Sequence, residues 1–154
     1  MPAAGRILYL AWNRSTPVST LMYLAEDDPD IAAMNRQALE SDDHHVEVAR
    51  AGVEALEAVR RVEPDLLVLD MQMPRASGLE VVEELRAHSE TAGQPVVMLS
   101  NAELTTEEEH RLQRLGVIDF LAKWKVGPTH LVRWIRQWAA QHRPHRGPRH
   151  GTDL

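Results

Sequence analysis

Between residues 21 and 142, apolar runs of about five residues alternate with amphipathic stretches of about ten, the pattern of strands and helices in a parallel sheet covered on both faces. The runs are Leu21-Met22-Tyr23-Leu24-Ala25, a weaker one at His45–Ala49, Asp65-Leu66-Leu67-Val68-Leu69, Pro95-Val96-Val97-Met98-Leu99 and Val117-Ile118-Asp119-Phe120-Leu121. Five strand-helix units therefore fit one α/β domain, a doubly wound parallel sheet.

Helix signals fall between the runs. Pro29 suits a first helical position with Asp28 capping before it, and Ile31, Met34, Ala38 and Leu39 are predicted to share the inward face of a helix ending near Glu40. A second helix is predicted from Gly52 to about Glu63, with Leu56, Val59 and Val62 inward and Pro64 stopping it. A third spans about Gly78 to His88 on Leu79, Val82 and Leu85. Thr105 and Glu108 stand at capping-box spacing for a fourth, mostly polar helix that ends at Gly116 and should be weakly packed. The fifth starts at Pro128 and carries Leu131, Ile135 and Trp138, with Trp134 one turn before Trp138.

Composition narrows the function classes. The 154 residues suit one domain of the usual size, and the absence of cysteine excludes disulfides, thiolate metal sites and thiol catalysis. Residues 21–142 hold 12 Lys and Arg against 22 Asp and Glu, a net of −10, whereas nucleic-acid binding needs clustered cations. No stretch approaches the roughly 20 apolar residues of a membrane helix, and Ile7–Trp12 is too short for a signal peptide, so a cytoplasmic protein binding neither nucleic acid nor membrane is expected. Residues 1–20 are expected to form a flexible extension and residues 143–154 a disordered basic, histidine-rich tail, flanking a domain at 21–142.

Four of the five apolar runs lead into polar groups able to form a site. Asp27 and Asp28 follow the first, Asp70 the third, Ser100 the fourth and Lys123 the fifth. In a parallel sheet these ends share the crevice where open α/β folds bind ligands. Adjacent carboxylates beside a third would repel one another unless a cation sits among them, and Mg²⁺, a hard ion taking carboxylates and phosphate oxygens, is the natural occupant. Asp70 is the candidate nucleophile, able to form an acyl phosphate. Lys123 would offset charge on the phosphoryl oxygens, and Ser100 would hydrogen-bond the product.

The elements Glu26-Asp27-Asp28, Asp70-Met71-Gln72-Met73-Pro74 with Gly78, Leu99-Ser100 and Asp119-Phe120-Leu121-Ala122-Lys123 resemble the receiver domain of two-component response regulators. The resemblance spans residues 21 to about 140 and includes the intervals of 42, 30 and 23 residues from Asp28 to Asp70, Ser100 and Lys123. It implies a flavodoxin-like (βα)5 fold with strand order 2-1-3-4-5. It also implies Asp70 as phosphoacceptor, with Asp27, Asp28, Asp70 and the backbone carbonyl of Gln72 as Mg²⁺ ligands. Ser100 and Phe120 would be the switch pair and Lys123 the phosphate partner. The donor would be a histidine kinase or histidine phosphotransfer protein, and the protein would catalyse only its own phosphorylation and dephosphorylation.

Two positions depart from the family pattern. Trp124 stands where proline usually follows the lysine, and Ala102 offers no side chain to orient an attacking water. Trp124 and Trp134 are candidates for a partner-binding face, because exposed tryptophans anchor interfaces. With no effector segment after residue 142, output is expected through contact with a downstream protein or a second copy. A phosphatase of the haloacid-dehalogenase type would carry a second acid two residues after its nucleophile, where this chain has Gln72. A phosphorylation-independent scaffold is the alternative, and the complete set of site residues argues against it.

Overall fold

The computed structural model describes residues 20–100, 103–123 and 127–142. Five strands, β1 (Leu21–Ala25), β2 (His45–Ala49), β3 (Leu66–Asp70), β4 (Val96–Ser100) and β5 (Phe120–Ala122), form one parallel sheet in the order β2-β1-β3-β4-β5. The helices are α1 (Pro29–Ser41), α2 (Gly52–Val62), α3 (Gly78–Ala87), α4 (Thr106–Arg114) and α5 (Pro128–Gln141). This is the flavodoxin-like arrangement that the sequence pattern and the resemblance together imply.

The pleat sorts each central strand into two cores. Tyr23, Ala25, Leu67, Leu69, Val96 and Met98 point to one face, where Ala55 and Val59 of α2, Val81 and Leu85 of α3 and Leu112 of α4 cover them. Met22, Leu24, Leu66, Val68, Val97 and Leu99 point to the other, against Ala32 and Leu39 of α1 and Leu131, Ile135, Trp138 and Ala139 of α5. Strands covered on both faces have no position left for a polar side chain until they end, which is why β1, β3 and β4 read as unbroken apolar runs. The edge strand β2 and the three-residue β5 are only part-buried.

Helix ends follow the capping residues. Asp28 accepts hydrogen bonds from the amides of Asp30 (2.9 Å) and Ile31 (3.2 Å) at the start of α1, while Ser77 with Glu80 and Thr105 with Glu108 form capping boxes on α3 and α4. Gly78 opens α3 directly beneath β3: a Cβ there would stand 2.6 Å from the Asp70 carbonyl oxygen and 2.8 Å from Met71 Cα, so this approach requires glycine.

Two expectations need correction. The buried stripe of α1 is Ala32, Asn35 and Leu39, one residue round from the expected face, and Met34 is 50% exposed; a polar Asn35 in the stripe conceals its period. The fifth strand begins at Phe120, later than Val117, because the run out of α4 turns at Gly116 (φ 75°) and carries Val117 into the core before regular pairing begins. At the opposite pole from the crevice, Arg86 of α3 donates to three carbonyl oxygens, those of Leu115 (2.6 Å), Ala92 (3.0 Å) and Gln94 (2.9 Å). Arg111 of α4 pairs with Glu83 of α3 nearby.

Candidate phosphoryl-transfer site

The carboxyl ends of β1, β3, β4 and β5 bring Glu26, Asp27, Asp70, Ser100 and Lys123 to the same end of the sheet. β1 and β3 pair in the register Leu24↔Val68 and Ala25↔Leu69, so the next step along the sheet sets Glu26 beside Asp70. The Glu26 amide still donates to Ala49 O on β2 at 2.9 Å, which keeps the residue in line with its strand. Both side chains are almost wholly buried, Glu26 at 1% and Asp70 at 2% exposure.

Lys123 Nζ bridges the two carboxylates, 2.5 Å from Glu26 Oε1 and 2.9 Å from Asp70 Oδ2. The other Asp70 oxygen, Oδ1, accepts the Gln72 amide at 3.0 Å, and Glu26 Oε2 accepts the Asp28 amide at 3.2 Å. Lys123 is itself held by its main chain, whose amide donates to Ser100 O at 2.8 Å. Asp70 is thus an oriented carboxylate with one oxygen on a backbone amide and the other on an ammonium.

Among the described residues, three carboxylates share this site with one ammonium. Burial pushes the Glu26 carboxyl above the usual range; the hydrogen bond from Lys123 works against that, and the charge of Asp70 adds to it. For Lys123, burial works against the charge, but hydrogen bonds and charges from Glu26 and Asp70 outweigh it and raise its pKa. One oxygen each from Glu26, Asp27 and Asp70 lies within 4.8 Å of the others, and Asp27 faces solvent. Hard oxygen donors at this spacing, with one member driven toward protonation, fit a small divalent cation entering from the Asp27 side.

The expected pair of acids is displaced by one residue. Asp28 is exposed and its carboxylate is spent on the amides of α1, so the acids gathered with Asp70 are Glu26 and Asp27. The cap expected of Asp28 before Pro29 is present, and it competes with the metal role expected of the same carboxylate. Ser100 is buried at the end of β4, and Phe120, opposite Met98 in the β4–β5 ladder, packs half-buried against the core under α3 and α4. Trp138 is core. Trp134, expected on a partner-binding face, is half-buried against the same cluster, with its indole N–H donated to Asp119 Oδ2 at 2.8 Å. Trp124 and Ala102, like residues 1–19 and 143–154, lie outside the described residues. No helix among the described residues is long and apolar enough to cross a membrane.

Comparison with known proteins agrees with this fold. The sequence profile of the response regulator receiver domain matches residues 22–136. The response regulator MprA of Mycobacterium leprae is 39% identical over 98 residues, covering 64% of this chain and 42% of that protein. The chain spans less than half the length of the curated relatives it matches. Among solved structures, the receiver domain of the Francisella response regulator 1452 superimposes with a TM-score of 0.70 at 25% identity, covering 79% of this chain and 98% of that one. The receiver domain of the Pseudomonas aeruginosa sensor histidine kinase PA1611, solved with magnesium in its active-site cleft, does so with a TM-score of 0.69 at 25% identity over the same shares.

Proposed function

The chain belongs to the response regulator receiver domain family, and from that premise we propose that Asp70 accepts a phosphoryl group from a phosphohistidine on a histidine kinase or histidine phosphotransfer protein. The observation that carries this reading is the oriented Asp70 carboxylate, held between the Gln72 amide and the Lys123 ammonium beside two further acids.

In the transfer, an Asp70 oxygen attacks phosphorus as the P–N bond to the donor imidazole breaks, and the departing imidazole nitrogen keeps the bonding pair and takes up a proton. Glu26, Asp27, Asp70 and the Gln72 carbonyl would hold Mg²⁺, which when bound neutralises the equatorial phosphoryl oxygens. Lys123 shifts its ammonium from the Asp70 carboxylate to the phosphoryl group that replaces it, and the Ser100 hydroxyl donates to the same group. Burial of Asp70 excludes bulk water from the acyl phosphate, and Gln72 is the polar residue nearest in sequence to influence its hydrolysis.

Phosphorylation adds about two negative charges, and the response is a shift between two conformers of the protein. Ser100 and Phe120 are the switch pair, lying on the neighbouring strands β4 and β5. The face of α4, β5 and α5 changes its affinity for a downstream protein or for a second copy of the chain. The protein acts as a catalyst only on its own phosphorylation and dephosphorylation, and works in the cytoplasm with its donor.

Intact mass after incubation with a small-molecule phosphodonor and Mg²⁺ tests the reading. The expected result is a gain of one phosphoryl group by the parent and none by Asp70→Asn. No gain, together with no measurable Mg²⁺ binding, would refute it in favour of a phosphorylation-independent scaffold.

A further inference from the structure

Lys123 follows directly on the least supported strand of the sheet. β5 has three residues, all half-buried, and among the described residues pairs on one side only, with β4, whereas β1, β3 and β4 each have five buried residues. On one face its cover is α4, in which Leu112 alone is buried. A short edge strand with one ladder and thin cover opens more readily than the strands inside the sheet. Yet the Lys123 ammonium must stay within hydrogen-bond distance of Asp70.

Asp119 supplies what the strand lacks. Its main-chain oxygen accepts the Met98 amide of β4 at 3.0 Å, its Oδ1 accepts the Phe120 amide at 2.8 Å, and its Oδ2 accepts the indole N–H of Trp134 at 2.8 Å. One residue therefore ties the start of β5 to its neighbouring strand and to α5. The side-chain bonds are made by an anionic acceptor in a half-buried setting, where such bonds are short and strong. Trp134 is in turn seated against the core through α5, next to the fully buried Ile135.

We propose that Asp119 is a positioning residue for phosphoryl transfer: by clamping β5 to Trp134 it fixes the strand that carries Lys123 into the crevice. The proposal rests on the reading of Asp70 as the phosphoacceptor. Asp119 touches no reacting atom. It acts through the strand, and small errors in the placement of a charge-stabilising group cost rate steeply.

A double-mutant cycle tests the clamp, using Asp119→Ala, Trp134→Phe and the pair. Trp134→Phe keeps an aromatic ring against the core while removing the donor and part of the ring's bulk, so it reports even where Asp119→Ala folds poorly. The readouts are the rate of Asp70 phosphorylation from a small-molecule phosphodonor at saturating Mg²⁺, the Mg²⁺ affinity, and hydrogen exchange of the Leu121 and Lys123 amides. Each single variant is expected to slow phosphorylation by roughly tenfold and to speed exchange at both amides. The pair should be no slower than Asp119→Ala, since both changes break one interaction. Mg²⁺ affinity should be undiminished, because Glu26, Asp27 and Asp70 are intact; general damage to the fold would weaken it as well. Asp119→Asn, which retains an acceptor oxygen, should recover part of the rate. Single variants that match the parent in rate, or effects that add in full, overturn the clamp while leaving the phosphoacceptor reading in place. A parent that gains no phosphoryl group refutes that reading, and the clamp's role in transfer with it.

Discussion

Replacing Lys123 by methionine keeps the aliphatic stem and removes the ammonium that bridges Glu26 and Asp70. At the observed 2.5 and 2.9 Å, each pair has a gross attraction of about 6 kcal/mol for an effective dielectric of about 20. Taking the three charges out of water returns several kcal/mol per ion, and loss of one member of a buried pair typically costs about 3–5 kcal/mol net. Asp27 admits solvent on one side of the cluster, which places the expected loss at about 3 kcal/mol. Urea unfolding of the parent and Lys123→Met in EDTA at neutral pH measures it, as a midpoint lowered by about 1–3 M for ordinary slopes. The deficit also has a direction in pH. Without the lysine bond the Glu26 carboxyl rises further, and a raised carboxyl contributes stability that is lost as pH rises through its folded value. The gap between the two proteins is therefore widest at neutral pH and narrows as Glu26 takes up a proton on acidification. Added Mg²⁺ should then stabilise the variant more than the parent, because it supplies positive charge that Lys123 no longer gives to the three acids; a ligand at about a hundredfold its Kd contributes about 2.7 kcal/mol. A variant as stable as the parent in EDTA, or an equal gain from Mg²⁺ in both, would show that Lys123 does not neutralise this cluster.

Two further outcomes follow from geometry away from the lysine. Asp28→Ala should lower stability by about 1 kcal/mol through loss of the α1 cap and leave Mg²⁺ affinity unchanged, while Asp27→Ala should weaken Mg²⁺ binding about tenfold or more with little effect on unfolding in EDTA; isothermal titration paired with urea unfolding separates them. His44 is buried, with Nε2 3.3 Å from Asp42, which Arg136 also holds; burial lowers its pKa below 6.5, and the charges of Asp42 and Asp43 oppose that shift while Arg136 adds to it. A depressed histidine contributes stability that is full above 6.5 and lost as pH falls through its folded value, so His44→Phe should flatten the acid side of the stability profile measured by urea midpoints.

The strand-helix alternation was legible because three central strands are buried on both faces and so tolerate no polar residue before their ends. For the same reason Asp70 stood out at the end of β3. Glu26 was harder to read. Its place opposite Asp70 depends on the register of β1 against β3, a long-range pairing that no local pattern in β1 encodes, and the two aspartates that follow it compete for the same role. Asp28 is claimed by the start of α1, and only after that is recognised do Glu26 and Asp27 become the pair. The face of α1 was misread by one position because Asn35, a polar residue, belongs to the buried stripe. Asp119 carried no signal at all as a clamp: its partner Trp134 lies fifteen residues away on another element, and each of them alone reads as ordinary.

Arg86 has a mechanical consequence. Its bond to Leu115 O, the Arg111–Glu83 pair and the buried Leu112 all fasten α4 near its carboxyl-terminal end, at the pole away from the crevice. The amino-terminal end, nearer Ser100 in the chain, is organised by its own capping box. A rod pinned at one end moves as a lever. At 1.5 Å per residue, α4 is about 13 Å long, so a tilt of about 10° about the Leu115 end would sweep its amino-terminal end, where Leu104 packs part-buried on the core, by about 2 Å. With that fulcrum, a side-chain-sized displacement beside Asp70 would reshape the outer surface while the core beneath Leu112 stays in place.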